Sequence, residues 1–244
     1  MGYDIKDKVV LVTGANRGIG KAIVESFIEY GVKKVYAAVR KLDSANELIE
    51  KYGDKVVAIE IDLAKSPTIT AAAQQAQDVE VVVNNAGVLA LANSLAENAL
   101  ESLQFEIDVN LYGLVRIAQA FAPVLQKNGG GAFVQLNSIV SLKAYPDIAT
   151  YSASKAAAYS ITQSLRSSLQ KQNTVVLSVH PGPIATDMAA SAGISDIAEP
   201  VTLVSEGIIN SLKSGDFHLF PDSTAKGLWE KYQSFAHSAV EATE

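Results

Sequence analysis

The chain has 244 residues, no cysteine, three histidines and a formal net charge of -6, with 48% hydrophobic and 19% charged residues. That composition suits one sizeable buried core and excludes disulfides, thiolate nucleophiles and cysteine-ligated metals. The acidic balance speaks against nucleic acid as a partner. His180, His218 and His237 are too far apart in sequence for a local metal motif, so no metal site is expected.

Residues 1–8 mix both charge signs and lead directly into a strand-like run, without the apolar region of a signal segment. No apolar stretch reaches the ~18 residues of a membrane span. A cytoplasmic protein with no membrane partner is the expectation. Along the chain, short Val/Ile/Leu runs predict strands at Lys8–Thr13, Lys34–Val39, Val56–Ile61, Val79–Asn84, Ala132–Asn137, Val175–His180 and Phe217–Phe220. Most are continuous rather than alternating, as in parallel strands covered on both faces. Helical periods fall between them, at Gly18–Tyr30, Ser44–Tyr52, Pro67–Gln77, Glu97–Gln126, Tyr151–Gln170, Val201–Leu212 and Ala225–Val240. Parallel strands need crossovers, and helices usually supply them, so the rhythm predicts an α/β doubly wound parallel sheet of about seven strands with helices on both faces. No repeat or linker interrupts it, and a single domain over 1–244 is expected.

The first strand runs into Thr13-Gly14-Ala15-Asn16-Arg17-Gly18-Ile19-Gly20 and then a helix. Glycines here allow a tight turn and close backbone approach to a pyrophosphate, while the helix start offers unpaired N–H groups. The spacing is G-x3-G-x-G rather than the common G-x-G-x-x-G. Gly20-Lys21 resembles the end of a P-loop, but Ala15 replaces its first glycine and Ala22 its magnesium-holding hydroxyl. At the end of the second strand, where an acid would hold ribose hydroxyls, the chain has Arg40 and Lys41 and no acid until Asp43. With Arg17 as a second guanidinium, the pattern suits a 2′-phosphate and favours NADP(H) over NAD.

Tyr151 and Lys155 stand four apart at a helix start, so they share one face. Free tyrosine, near pKa 10, is a poor base, and a neighbouring ammonium is expected to lower it.

Taken in order, these motifs resemble the short-chain dehydrogenase/reductase family over nearly the whole chain. Thr13–Gly20 matches its glycine turn, Asp62 its adenine-contacting acid, and Asn84-Asn85-Ala86-Gly87 its signature after the fourth strand. Asn110 matches the helix asparagine, Ser138 the serine ending the fifth strand, and Pro181-Gly182 with Thr186 the turn that receives the nicotinamide amide.

The resemblance implies a Rossmann-type fold, with a cofactor half of about 1–137 and a catalytic and substrate half of about 138–244. It implies Asn110, Ser138, Tyr151 and Lys155 as catalytic: Tyr151 as acid/base, Ser138 polarising a carbonyl, Lys155 holding ribose and lowering the Tyr151 pKa, Asn110 placing a relay water. It further implies cofactor contacts from Gly14, Asn16, Arg17, Gly18, Ile19, Gly20, Arg40, Asp62, Leu63, Asn85, Ala86, Gly87, Tyr151, Lys155, Pro181, Gly182, Ile184 and Thr186.

Ile139, Tyr145 and Met188 are candidates for the substrate side, and the Ala-rich segment after Gly182 suggests an uncharged carbonyl or alcohol substrate. Only 21 residues separate Asp62 from Asn84, so the helix between them must be short. His180 is expected to be structural; His218 and His237 are expected at the surface or in the tail. The segment from Phe217 to the Trp229/Tyr232 helix is expected to cap the substrate cleft or an oligomer interface. A homodimer or homotetramer is expected, packed through the long helices. Three functions are consistent with the sequence: an NADPH-dependent carbonyl reductase, a 3-oxoacyl reductase or sugar or steroid dehydrogenase on the same fold, and a non-enzymatic NADP-sensing regulator.

Overall fold

The computed structural model describes residues 2–242. Seven parallel strands, β1 (Val9–Thr13), β2 (Lys34–Val39), β3 (Val56–Glu60), β4 (Val81–Asn84), β5 (Gly131–Leu136), β6 (Thr174–Val179) and β7 (His218–Leu219), form one sheet in the order β3-β2-β1-β4-β5-β6-β7. The helices are α1 (Gly18–Tyr30), α2 (Asn46–Tyr52), α3 (Ser66–Gln75), α4 (Ala99–Glu106), α5 (Gly113–Lys127), α6 (Ala149–Gln170), α7 (Asp187–Ser191), α8 (Thr202–Ser214) and α9 (Ser223–Phe235).

The strands are continuously apolar because the sheet is covered on both faces. Val10 and Val12 of β1 pack with Ile23 and Phe27 of α1, Leu48 of α2 and Ile208 of α8. Their neighbours Val9 and Leu11 point the other way, toward Ile69 of α3, Phe121 of α5 and Ala158 of α6. Phe27 and Phe121 are fully buried, each contributing ~1.5–3 kcal/mol by area. Helix α1 ends at Gly31, whose φ of 104° lets its N–H reach back to the Phe27 and Ile28 carbonyls.

The predicted helix Glu97–Gln126 is two helices. A π-helical turn, Ile107–Tyr112, separates α4 from α5. The wider turn keeps Asn110 buried, and Gly113 after it lies so close to Leu63 that a Cβ would stand 2.8 Å from the Leu63 Cβ. A second π turn, Ala236–Val240, follows α9. The predicted edge strand Phe217–Phe220 shrinks to two residues, paired as Ser178↔His218 and Val179↔Leu219, while Phe217 and Phe220 turn into the core. Strand order reverses at β1, flanked by β2 and β4. The crevice at the carboxyl ends of β1 and β4 is where open α/β sheets bind ligands.

Candidate active site

The glycine turn sits at that reversal. Gly14 has φ 64° and Gly18 φ 51°, both in the left-handed region. A Cβ on Gly20 would overlap the Gly14 carbonyl, so the start of α1 can approach β1 only as glycine. Arg17 stands at the N-cap of α1, and its side chain does not cap the helix; the first-turn N–H groups therefore face the crevice uncapped. Arg17 instead donates to Asp187 Oδ2 at 2.9 Å, an ion pair exposed on both sides. Asn16 is half-buried in the turn, and Ile19 packs on the core. Arg40 is exposed just past β2. Leu63 is buried after β3, and Asp62 beside it accepts the Ala64 N–H at 3.1 Å.

A polar chain ties the strand ends together. Thr13 Oγ1 donates to Asn84 Oδ1 and accepts the N–H groups of Asn85 and Ala86, both at 2.9 Å. Asn84 Nδ2 donates to Gln135 Oε1 at 2.8 Å, and Asn85 Nδ2 donates to the Thr13 carbonyl at 2.9 Å. Gln135 was not singled out in the sequence. Its signal, a buried polar residue inside an apolar strand, emerges only when the β4–β5 register sets it opposite Asn84.

The Asn85–Gly87 segment continues over the second cluster. A Cβ on Gly87 would meet Asn110 Oδ1 at 3.1 Å and Lys155 Nζ at 3.5 Å. Asn110 Oδ1 accepts the Val88 N–H, and its Nδ2 donates to the Val88 carbonyl, both at 2.9 Å, and to Ser154 Oγ at 3.0 Å. Lys155 Nζ donates to the Leu136 carbonyl at 2.8 Å and lies 5.8 Å from the centre of the Tyr151 ring. Ser138 Oγ donates to the Pro181 carbonyl at 3.3 Å and accepts the Val140 N–H.

The electrostatics of this pair differ from the expectation. Burial pushes the Lys155 ammonium down to about 8. Burial also pushes the Tyr151 phenol well above its ordinary value; the Glu106 charge adds to the rise and a hydrogen bond with Ser138 opposes it. At about 8, Lys155 still carries its charge at neutral pH, while burial dominates at the phenol. Tyr151 keeps its proton.

The turn after β6 closes the other side. His180 is fully buried, with Nε2 2.8 Å from Ser178 Oγ and Nδ1 3.0 Å from Ser141 Oγ, a structural residue. The Gly182 N–H donates to Asp222 Oδ2 at 2.6 Å, while Asp222 Oδ1 caps α9 by accepting the Ala225 N–H. Ile184 is buried and bridges to Glu199, and Thr186 caps α7 and comes close to Gly18. The turn therefore faces the Gly14–Gly20 glycines across the crevice.

Among the substrate candidates, Ile139 is buried in a cluster with Val140, Phe220, Tyr151, Leu228 and Trp229, whereas Tyr145 and Met188 stand at the surface. Helix α9 thus covers the Tyr151 side of the sheet edge. His218 is not a surface residue: it is buried, with Nε2 2.7 Å from Tyr159 Oη and Nδ1 2.8 Å from Glu241 Oε1. The β6–β7 pairing turns it inward, which no local pattern encodes. His237 is exposed.

A glycine-cradled crevice beside half-buried Ser138 and Tyr151 and buried Lys155 defines a dinucleotide-using oxidoreductase. The family model "short chain dehydrogenase" matches residues 8–195, and the chain belongs to that family. It is 36% identical over 193 residues to a probable galactose dehydrogenase of Rhizobium meliloti, covering 75% of this chain and 74% of that one. A 3alpha-hydroxysteroid dehydrogenase of Mediterraneibacter gnavus is 35% identical over 195 residues, covering 77% and 78%. A solved short chain dehydrogenase of Burkholderia cenocepacia, in complex with NADP, superposes with a TM-score of 0.87 at 32% identity, covering 98% of this chain and 100% of that one.

Proposed function

We propose that the protein is an NADPH-dependent reductase of small or medium uncharged ketones and aldehydes, running reversibly as an alcohol dehydrogenase. The observation that carries this reading is the convergence of Ser138, Tyr151, Lys155 and Asn110 at the carboxyl ends of β4 and β5. The glycine cradle, which a Cβ would fill, and the uncapped start of α1 fit a dinucleotide. Gly14–Gly20, Asn85–Gly87, Asp62, Leu63 and Pro181–Thr186 would hold it. Exposed Arg40 and Arg17 would take the 2′-phosphate, supported by the NADP found in the Burkholderia relative. Arg17 can leave Asp187 at little cost, since an exposed ion pair is worth ~0–1 kcal/mol.

The nicotinamide supplies the hydride when bound. Ser138 donates a hydrogen bond to the carbonyl oxygen as charge develops there. Tyr151, holding its proton, donates it to the same oxygen in reduction and takes it back in oxidation. Lys155 and Asn110 orient the groups around it. The apolar wall of Ile139, Leu228 and Trp229 suits an uncharged substrate. The relatives named for galactose and a hydroxysteroid also carry secondary alcohols, which supports a sugar or steroid as the second reading.

A single Rossmann domain carries both halves in this reading. Reliance on a diffusible cofactor fits the cytoplasm, and no helix among the described residues is long and apolar enough to cross a membrane. Exposed Leu100, Phe105 and Tyr112 along α4 and the π turn fit a homodimer or homotetramer. Assaying a panel of aldehydes, ketones, sugars and hydroxysteroids with NADPH and NADH tests the proposal. Turnover of an uncharged carbonyl with NADPH supports it; no turnover of any compound would leave a non-enzymatic nucleotide sensor.

A further inference from the structure

Arg116, in the first turn of α5, is half-buried, and its guanidinium joins two segments that lie far apart in the chain. Nη1 donates to the Leu63 carbonyl at 2.8 Å and to the Asp108 carbonyl at 3.2 Å. Nη2 donates to Asp108 Oδ1 at 2.8 Å. Asp108 belongs to the π turn Ile107–Tyr112, and its carbonyl also accepts the Gly113 N–H, five residues on. That reach makes the turn π rather than α, because an α-helical carbonyl is met by the fourth residue after it. Arg116 lies eight residues past Asp108, ~12 Å along an unbroken α-helix. Helical side chains lean toward the N-terminus, which aims this one back over the widened turn. Its guanidinium carbon stands 5.9 Å from the centre of the Tyr112 ring, at the end of that turn. A planar fork with five donors serves two carbonyls and a carboxylate at once. Asn110 lies inside the turn so gripped, and its amide in turn holds Val88 and Ser154.

We propose that Arg116 is a positioning residue: by binding the Leu63 carbonyl together with the carbonyl and carboxylate of Asp108, it holds the π turn in its widened form and so sets Asn110 in the cluster with Ser138, Tyr151 and Lys155. The inference deepens the reductase reading and rests on it for the role of Asn110. A π turn inserts one residue into a regular hydrogen-bond ladder, and no breaker residue marks it here. Its support comes instead from a side chain further along and from a carbonyl outside the helix. Reversion to a regular α turn would rotate one side of the break by ~100° against the other, which would carry the Asn110 amide away from Val88 and Ser154. Leu63 follows β3, in the segment proposed to meet the adenine, and it packs against Gly113 at the other end of the same turn. One guanidinium therefore ties the adenine side of the crevice to the residue placed in the catalytic cluster.

The test is backbone hydrogen exchange of the full chain, followed by NMR at the Val88 N–H that Asn110 Oδ1 accepts. The reference is the Ser178 N–H, bonded to the Phe217 carbonyl at the far sheet edge. Arg116→Met is expected to speed Val88 exchange ~3–10-fold, the loss of about one hydrogen bond, with Ser178 unchanged. Asp108→Ala leaves the guanidinium but removes the carboxylate that aims it, and should act in the same sense. Arg116→Lys should restore part of the protection. In an Asn110→Ala background, Arg116→Met should add nothing at Val88, since its effect passes through Asn110. With any substrate the panel identifies, kcat should fall ~10–100-fold in Arg116→Met, while KM for NADPH changes less. Unchanged Val88 exchange in both Arg116→Met and Asp108→Ala overturns the proposal, as do equal rises at Val88 and Ser178, or faster Val88 exchange with kcat intact. Because exchange needs no turnover, a failed substrate panel and a failed role for Arg116 are separate results.

Discussion

Two glycine turns stand at the carboxyl rim of the sheet, and they are held in opposite ways. The turn after β1 is shaped mainly by its own glycines: positive φ at Gly14 and Gly18 and the close approach of Gly20 set the backbone, with the Gly14 N–H donating to the Ala38 carbonyl at 2.8 Å, and leave the α1 N–H groups facing outward. The turn after β6 is held from 40 residues away, where the Asp222 carboxylate takes the Gly182 N–H and caps α9 with its other oxygen. A Cβ on Gly182 would stand 2.5 Å from Asp222 Oδ1, so that glycine makes room for a distant side chain. One turn keeps its donors for a ligand; the other is satisfied internally and fixes the C-terminal cap over Tyr151. A local motif therefore announces binding, whereas the shape of the reaction chamber depends on contacts distant in sequence.

The largest effect should come from the chemistry lying between the turns rather than on either. Tyr151→Phe is expected to lower carbonyl reduction by ~10²–10⁴-fold, with NADPH binding, read by fluorescence titration, nearly unchanged. The outward-facing role of the first turn is sharpened by Arg40→Ala, which should raise KM for NADPH ~10–100-fold relative to NADH, as loss of a charged hydrogen bond predicts. Equal changes for both cofactors would place the selectivity elsewhere.

The internal anchoring of the second turn is broken by Asp222→Ala. Leaving the Gly182 N–H unpaired and α9 uncapped should cost ~1–3 kcal/mol, visible as a fall in Tm with the α1 turn still binding NADPH.

The smallest effect concerns the base of the same turn. Burial pushes the His180 imidazole down to about 3, against ~6.5 in the unfolded chain. The unfolded state therefore binds a proton that the native state refuses, so stability is retained above pH ~6.5 and lost as pH falls below it, by up to ~1.4 kcal/mol per pH unit from this residue. Melting curves from pH 7.5 to 5 should show this slope, and His180→Gln should flatten it.

Much of the fold is legible in the chain because parallel strands buried on both faces write themselves as continuous apolar runs; β2 and α1 fall on their predicted residues. The proposed cofactor contacts near β1 are likewise encoded in consecutive residues. Less legible is whatever depends on register or on a break in periodicity. The π turn that separates α4 from α5 carries no breaker residue, and Asn110 finds its place only because that turn widens. Gln135 gains its partner through strand pairing, and His218 is buried because β7 pairs with β6 rather than trailing at the surface. Glu106, wholly buried, looks in sequence like an ordinary exposed helical acid.

By itself the sequence determined the class of fold, the glycine turn and the absence of thiol chemistry, since these follow from local backbone preference and residue inventory. Only the tertiary structure decided the surroundings of the Tyr-Lys pair. Proximity along a helix predicted an ammonium lowering a phenol; the fold adds desolvation, which raises the Tyr151 phenol and pushes the Lys155 ammonium down to about 8, because burial penalises each charge.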